Sequence, residues 1–194
     1  MTVAEVPPFL EEFKTLPRPS SDCPAYEVPI EELLAVAEKV LSQGVYNLLV
    51  DITAIDYGVE SDRRFALVYH WYAIQEKSYL RIVTFTSSSS DPVAPTLSHL
   101  FPAANWHERE VYDMFGIRFT NHPNLRRILM WDEYPYFPLR KDFPLAGIEV
   151  PLPSPDTTEA TGETVIPAPL MGGPFTATGG TSSATREPTA KDQS

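Results

Sequence analysis

Three histidines and three carboxylates lie close together in the chain: His99, His107 and His122 with Glu108, Glu110 and Asp113. Residues of these types can hold a divalent metal. A zinc protease helix, however, needs His-Glu-x-x-His, and a di-iron bundle needs two Glu-x-x-His pairs. Here His107 precedes Glu110, the reverse order, and no second copy occurs. Glu110 and Asp113 stand one helical turn apart and could serve as an acid–base pair. No nucleophile or phosphate-cradling glycine loop accompanies them, and Gly172-Gly173 and Gly179-Gly180 precede no helix pattern. The single cysteine, Cys23, excludes an internal disulfide framework and a cysteine-held iron–sulfur or zinc cage. A second chemistry fits the same residues better. Glu108, Arg109, Glu110 and Asp113 form a charged ridge, and Arg126, Arg127, Arg140 and Lys141 are the cations it could order, internally or on a neighbour.

A ridge of this kind needs a helix to carry it. Asn105 is a competent N-cap, with Glu108 three positions on to complete a capping box, and Gly116 belongs at the C-terminal end. On such a helix His107, Val111, Met114 and Phe115 share one face and Glu110 and Asp113 another, with Arg109 and Asp113 spaced to pair. Upstream, Glu31 to Gln43 predicts an amphipathic helix through Leu33, Leu34, Ala37, Val40 and Leu41, closed by Gly44. Tyr46 to Ile55, Arg64 to Tyr72 and Tyr79 to Thr86 predict three strands. Their short polar connectors, Gly58 to Arg63 and Gln75 to Ser78, imply a sequential antiparallel meander. Both strand faces are apolar, so helix should cover one and a partner or another segment the other. Pro8 to Leu16 reads as a short helix, Ser87 to Asp91 as a loop, and Thr96 to Phe101 as one or two helical turns.

Beyond Gly116 regular structure should fade, because His122-Pro123, Tyr134-Pro135, Phe137-Pro138 and Phe143-Pro144 push the chain toward extended or turn conformations. Yet Phe119, Leu125, Ile128, Leu129, Trp131, Tyr136 and Phe143 are large and apolar, so this stretch must bury itself against something. After Leu145 the chain turns to Thr, Pro, Ser, Gly and Ala, with Phe175 its one aromatic, a composition that cannot offset its own ordering entropy. The stretch from Pro167 to Phe175 is its sticky patch. The expected plan is an α+β, two-layer domain whose mainly antiparallel sheet is covered by helices. It divides into an N-terminal extension (1–29), a core (30–120), an irregular docking segment (121–145) and a low-complexity tail (146–194), disordered or laid on a partner.

At 194 residues the chain has room for one domain with a real core. No apolar run approaches the roughly 20 residues a spanning helix needs. Glu5, Glu11 and Glu12 give the N-terminus the wrong charge for a signal peptide. A net charge of -11 argues against nucleic acid as a partner.

The ridge and the residues after it resemble the 30-kDa subunit family of respiratory complex I, known in bacteria as the C subunit of NADH-quinone oxidoreductase. Glu108-Arg109-Glu110, Asp113, Met114-Phe115, His122, Arg126 and Ile128-Leu129 stand at the family's spacing, and Pro138 to Leu145 resembles its second block. Leu49 to Tyr57 and Arg64 to Trp71 resemble its strand region more loosely, so the resemblance covers about Glu31 to Leu145. It implies a non-catalytic subunit of the hydrophilic arm of a proton-pumping NADH-quinone oxidoreductase, holding no metal or cofactor of its own. FMN and iron–sulfur clusters would sit in partner subunits, and NADH and quinone would be used by the whole complex. The implied neighbour is the quinone-site, 49-kDa-like subunit, and the implied place is the cytoplasmic face of the bacterial plasma membrane, reached only through the complex. Glu108, Arg109, Glu110, Asp113, His122, Arg126, Arg127, Arg140, Lys141 and Asp142 would set the interface or the fold of the docking segment. An equivalent subunit of a membrane-bound hydrogenase or F420H2 dehydrogenase stays open. So does a metal-dependent hydrolase built on His107, Glu110 and Asp113.

Overall fold

The computed structural model describes residues 7–16, 23–144 and 147–148. The low-complexity tail, including its patch from Pro167 to Phe175, lies outside the described residues. A five-stranded sheet forms the frame, with strands β1 (Lys14–Thr15), β2 (Ala25–Glu27), β3 (Leu48–Asp56), β4 (Phe65–Ala73) and β5 (Ser78–Phe85) in the order β1-β2-β5-β4-β3. β3, β4 and β5 are the expected antiparallel meander, with ends within two residues of the sequence pattern. A register irregularity between Leu49 and Asp51 shifts the pleat, so that Leu49, Ile52, Ala54 and Asp56 are the buried residues of β3.

Helix α1 (Leu33–Gln43) ends at Gly44, whose φ of 69° is the left-handed cap conformation glycine adopts without strain. Its Leu33, Val36, Ala37 and Val40 join one core with Phe65, Leu67, Tyr69, Trp71, Leu80 and Ile82 of the sheet. Helix α2 (Ala104–Phe115) adds Ala104, Val111, Met114 and Phe115 to the same core. The two helices therefore cover one face. On the other, Ala66, Val68 and Val83 make a small cluster with Leu16 and Phe85. This is the two-layer α+β plan read from the sequence.

Two local readings are corrected, and four short strands are added. Pro8 to Leu16 is not a helix: a 3-10 turn over Pro8–Leu10 gives way to β1, where Lys14 pairs with Glu27 and Thr15 with Tyr26. Sheet pairing overrides the weak helical pattern there. β2 in turn runs parallel to β5, a long-range pairing that periodicity cannot announce. The stretch before α2 holds a short strand, β6 (Val93–Pro95), paired in parallel with β7 (Arg118–Thr120), and then a single turn in which Phe101 N donates to Leu97 O at 2.9 Å. Finally, α2 has no side-chain cap: it starts at Ala104, one residue before Asn105. Glu108 turns inward instead, because an amide and a hydroxyl of the preceding loop await it there.

Candidate functional site: the second helix and the segment folded on its end

A helix leaves its last four carbonyls without intrahelical donors. In α2 every one of them is filled, and the segment after β7 supplies three of the donors. Tyr112 O accepts from Gly116 N at 2.8 Å, and Asp113 O from Arg127 Nη1 at 3.0 Å. Met114 O accepts from Leu139 N at 3.1 Å, and Phe115 O from Arg140 Nε at 2.6 Å. Gly116 makes the approach possible, since a Cβ there would meet Arg140 Nη2 at 2.5 Å and Phe137 Cε2 at 2.6 Å. The C-terminal end of α2 is thus the seat of an otherwise irregular stretch.

Asp113 fixes the shape of that stretch. Its fully buried carboxylate accepts from the consecutive amides of Ile128, Leu129 and Met130 at 2.9, 2.6 and 2.9 Å, and from Arg127 Nη1 at 2.6 Å. Consecutive amides converging on one anion form a nest, a geometry that a charged acceptor stabilises strongly. Burial alone would push the carboxyl up. The amides of Met130 and Leu129, the Arg127 guanidinium and the Ile128 amide outweigh it and hold the group below its ordinary value. The second guanidinium nitrogen of Arg127 reaches on to Tyr134 O at 2.7 Å and Tyr136 O at 3.1 Å. Two turns of irregular backbone are therefore threaded on one arginine.

A second carboxylate does similar work at the sheet end. Asp56 accepts from Gly58 N at 2.9 Å, from both Nε (3.0 Å) and Nη2 (2.9 Å) of Arg64, and from Lys141 N at 2.8 Å. Burial would raise it, but the Arg64 pair and the two amides pull it below its usual value. Arg64 also meets Asp142 at 2.9 Å. Arg140 lies nearby over the rings of Phe137 and Phe65, its pKa lowered first by burial and then by the neighbouring Arg64.

The remaining signature residues divide into engaged and exposed ones, and Asp142 is both. Arg109 does not pair with Asp113. It donates to the carbonyls of Arg126 (3.1 Å) and Arg127 (3.4 Å) and lies against the Trp106 ring. His122 places Nε2 at 3.1 Å from Asn105 O and accepts at Nδ1 from Asn124 N. Glu108, Arg109, Asp113, His122, Arg127, Arg140 and Asp142 are therefore engaged within the chain. Glu110, Arg126 and Lys141 have exposed side chains. So do the apolar residues Trp106 (63%), Leu129 (57%) and Leu139 (53%).

The trio His107, Glu110 and Asp113 does not converge on a metal: Asp113 is saturated by amides and a guanidinium, and His107 Nδ1 faces Asp51 at 3.8 Å. Among the described residues no cluster of three or more His, Cys, Asp or Glu could hold an ion. Sequence reasoning missed Asp56, Arg64 and Thr96. The pattern held one clue to the first: Asp56 comes after Ile52 and Ala54 at alternating positions, so an acid falls on the core-facing parity of an apolar strand.

A family model described as the 30-kDa subunit of respiratory-chain NADH dehydrogenase matches residues 26–149. The NADH-quinone oxidoreductase C subunit of Geobacter metallireducens is 44% identical over 117 residues, which is 60% of this chain and 72% of that one. A longer relative from a Sulfurihydrogenibium species, named as a C/D subunit of the same oxidoreductase, is 44% identical over 114 residues, 58% of this chain but 19% of its own length. Among solved structures, the trypsin-resistant fragment of Nqo5 aligns with a TM-score of 0.52 and 28% identity, covering 59% of this chain and 91% of the fragment.

Proposed function

The chain belongs to the family of the 30-kDa subunit of respiratory-chain NADH dehydrogenase, and from that premise we propose that it is a non-catalytic structural subunit of the peripheral arm of a proton-translocating NADH-quinone oxidoreductase. Its place in that reading is beside the quinone-site, 49-kDa-like subunit. NADH, quinone, FMN and iron–sulfur clusters belong to the complex and to partner chains. Among the described residues no helix is long and apolar enough to cross a membrane, so the attachment to the cytoplasmic face of the bacterial plasma membrane would be made through the assembly.

One observation carries the reading: the signature charges are spent on shaping a surface. Asp113, Arg127 and Arg140 lock an aromatic, proline-rich segment onto the end of α2, and Trp106, Leu129 and Leu139 remain outside, where a partner can bury them. A relative whose name joins C and D in one chain supports direct contact between this subunit and another. In this proposal residues 121–145 dock, carried by a core whose sheet takes in β1 and β2 along with the strands of 30–120. Glu110, Arg126 and Lys141 would meet the neighbour. Glu108, Arg109, Asp113, His122, Arg127, Arg140 and Asp142 would hold the docking surface in shape.

Cells lacking their own copy and expressing the Leu129→Asp, Leu139→Asp double variant test this. Neither side chain is buried, so the isolated subunit should keep wild-type stability while the assembled complex on a native gel, and its NADH-quinone activity, are lost. Normal assembly in that strain would contradict the docking role.

A further inference from the structure

Glu108 lies in α2 with its side chain wholly enclosed, 0% exposed, and among the described residues its one ion-pair contact is with His122, whose Nε2 lies 3.8 Å from Oε2. That histidine offers no positive charge. Its Nδ1 accepts from the amide of Asn124, so in the neutral ring Nε2 carries the hydrogen and donates it to Asn105 O at 3.1 Å. Burial, and secondarily the charge of Arg109, hold His122 below its ordinary value against the opposing Asn105 hydrogen bond. From β4 the buried phenol of Tyr69 is close enough to feel the charge of the same carboxyl, and burial together with that charge raises its pKa. Burial thus pushes Glu108 up to about 7, against the Thr96 hydroxyl and the Leu97 amide, which favour the ionised form.

The hydroxyls beside it are arranged as a path. Glu108 Oε1 accepts from Leu97 N at 2.7 Å, and Oε2 lies 2.5 Å from Thr96 Oγ1. Thr96 Oγ1 is 2.9 Å from Ser98 Oγ and accepts from Ser98 N at 3.1 Å. Ser98 is half-buried, at the edge of the protein. A threonine hydroxyl owns one hydrogen, so it cannot donate to Glu108 and to Ser98 at once. With Glu108 neutral, the acid donates to Thr96 and Thr96 donates to Ser98. With Glu108 ionised, Ser98 donates to Thr96 and Thr96 to the carboxylate. Both states fill the same contacts.

We propose that Glu108, Thr96 and Ser98 form a proton-binding site, a buried carboxylic acid joined to solvent by two hydroxyls, that takes up and releases one proton without unseating α2. On release the Oε2–H bond breaks and the proton passes to Thr96 Oγ1. The hydrogen of Thr96 passes to Ser98 Oγ, and that of Ser98 to a solvent base. Uptake is the reverse. The Leu97 amide stays on Oε1 in both states, which is why the helix need not move.

The proton-binding site does not rest on the subunit role, although Glu108 also helps to seat α2, and its failure would leave that role standing. The test is an infrared and carboxyl-carbon NMR titration of the full chain between about pH 5 and about pH 9, a range that clears ordinary carboxylates. One carboxyl should titrate near neutrality, and Glu108→Gln should abolish that step. Thr96→Val should move the midpoint up by about half a unit to one unit, since it removes a donor to the ionised form. Ser98→Ala should leave the midpoint in place and slow exchange of the carboxyl proton severalfold. Should Glu108→Gln fail to fold, the wild-type titration and the upward shift in Thr96→Val decide alone. The proposal is overturned if every carboxyl titrates in the ordinary range, if the neutral step survives Glu108→Gln, or if Thr96→Val leaves it unmoved. Unchanged exchange in Ser98→Ala would overturn the path.

Discussion

The sheet layer and the segment from Asn121 to Pro144 are built on opposite principles. In the sheet, backbone groups satisfy one another along the ladders, and Phe65, Leu67, Tyr69 and Trp71 supply the cohesion by burying apolar surface under the two helices. In the segment there is almost no ladder. A few charged side chains and isolated turn bonds satisfy its amides and carbonyls, and its apolar residues are left partly outside. Stability in the first region is spread over many contacts and is slow to fail. In the second it is concentrated on Asp113, Arg127, Arg140 and the Asp56–Arg64 pair, so one substitution can release many residues. A surface meant to be completed by a partner can be built this way, because its shape is fixed before its hydrophobic area is covered.

The largest expected effect is Asp113→Ala. It strands three amides and the buried Arg127 guanidinium, at a cost of about 3–5 kcal/mol. Limited proteolysis should cut between Leu125 and Tyr136 while amide protection in the β3–β5 ladders persists. Equal loss of protection in both regions would show that they are one cooperative unit. Leu67→Ala, in the core, should cost roughly 2–5 kcal/mol in denaturant unfolding and release both regions together. Gly116→Ala combines a positive φ of 72° with a clash against Arg140 and Phe137, and should cost on the order of 1–3 kcal/mol, felt first as faster exchange of the Leu139 amide.

Acid should separate the regions next. Asp113 and Asp56 have folded values below their ordinary 3.8, so the stability they contribute is fully present above that pH and is lost as pH falls through the lower folded values. Hydrogen exchange should then show Ile128, Leu129 and Met130 losing protection before Leu67 and Tyr69. Simultaneous loss would argue against carboxylate control of the segment. Smallest of all is Arg118→Ala, which removes a largely exposed pair with Asp91 and should change unfolding stability by no more than about 0.5 kcal/mol.

The same division explains what could be read in advance. Periodicity located α1 and β3, which bury one face at the matching step, while β4 and β5 were legible as short apolar, β-branched and aromatic runs between polar turns. Gly44 and Gly116 marked both helix ends through a conformation that glycine adopts freely. The charged ridge was legible as a set, but not in its pairing. Arg109 and Asp113 look like exposed partners at helical spacing, whereas the fold brings in Arg126, Arg127 and the Ile128 to Met130 amides from a stretch with no period at all. Glu108 looked like half of a capping box for the same reason: local spacing cannot see the Thr96 hydroxyl and Leu97 amide waiting across the loop. β1 and β2 escaped notice because strands of two and three residues carry too few positions to show an alternation.

The most direct test of the scaffold role is affinity purification of the tagged full chain from gently solubilised membranes of its own host, with NADH-quinone activity and partner identities read from the eluate. A scaffold subunit should bring down a large assembly that oxidises NADH with quinone and contains flavin- and iron–sulfur-bearing chains. Recovery of the chain alone, with no oxidoreductase partner and no activity above an untagged control, would contradict that role.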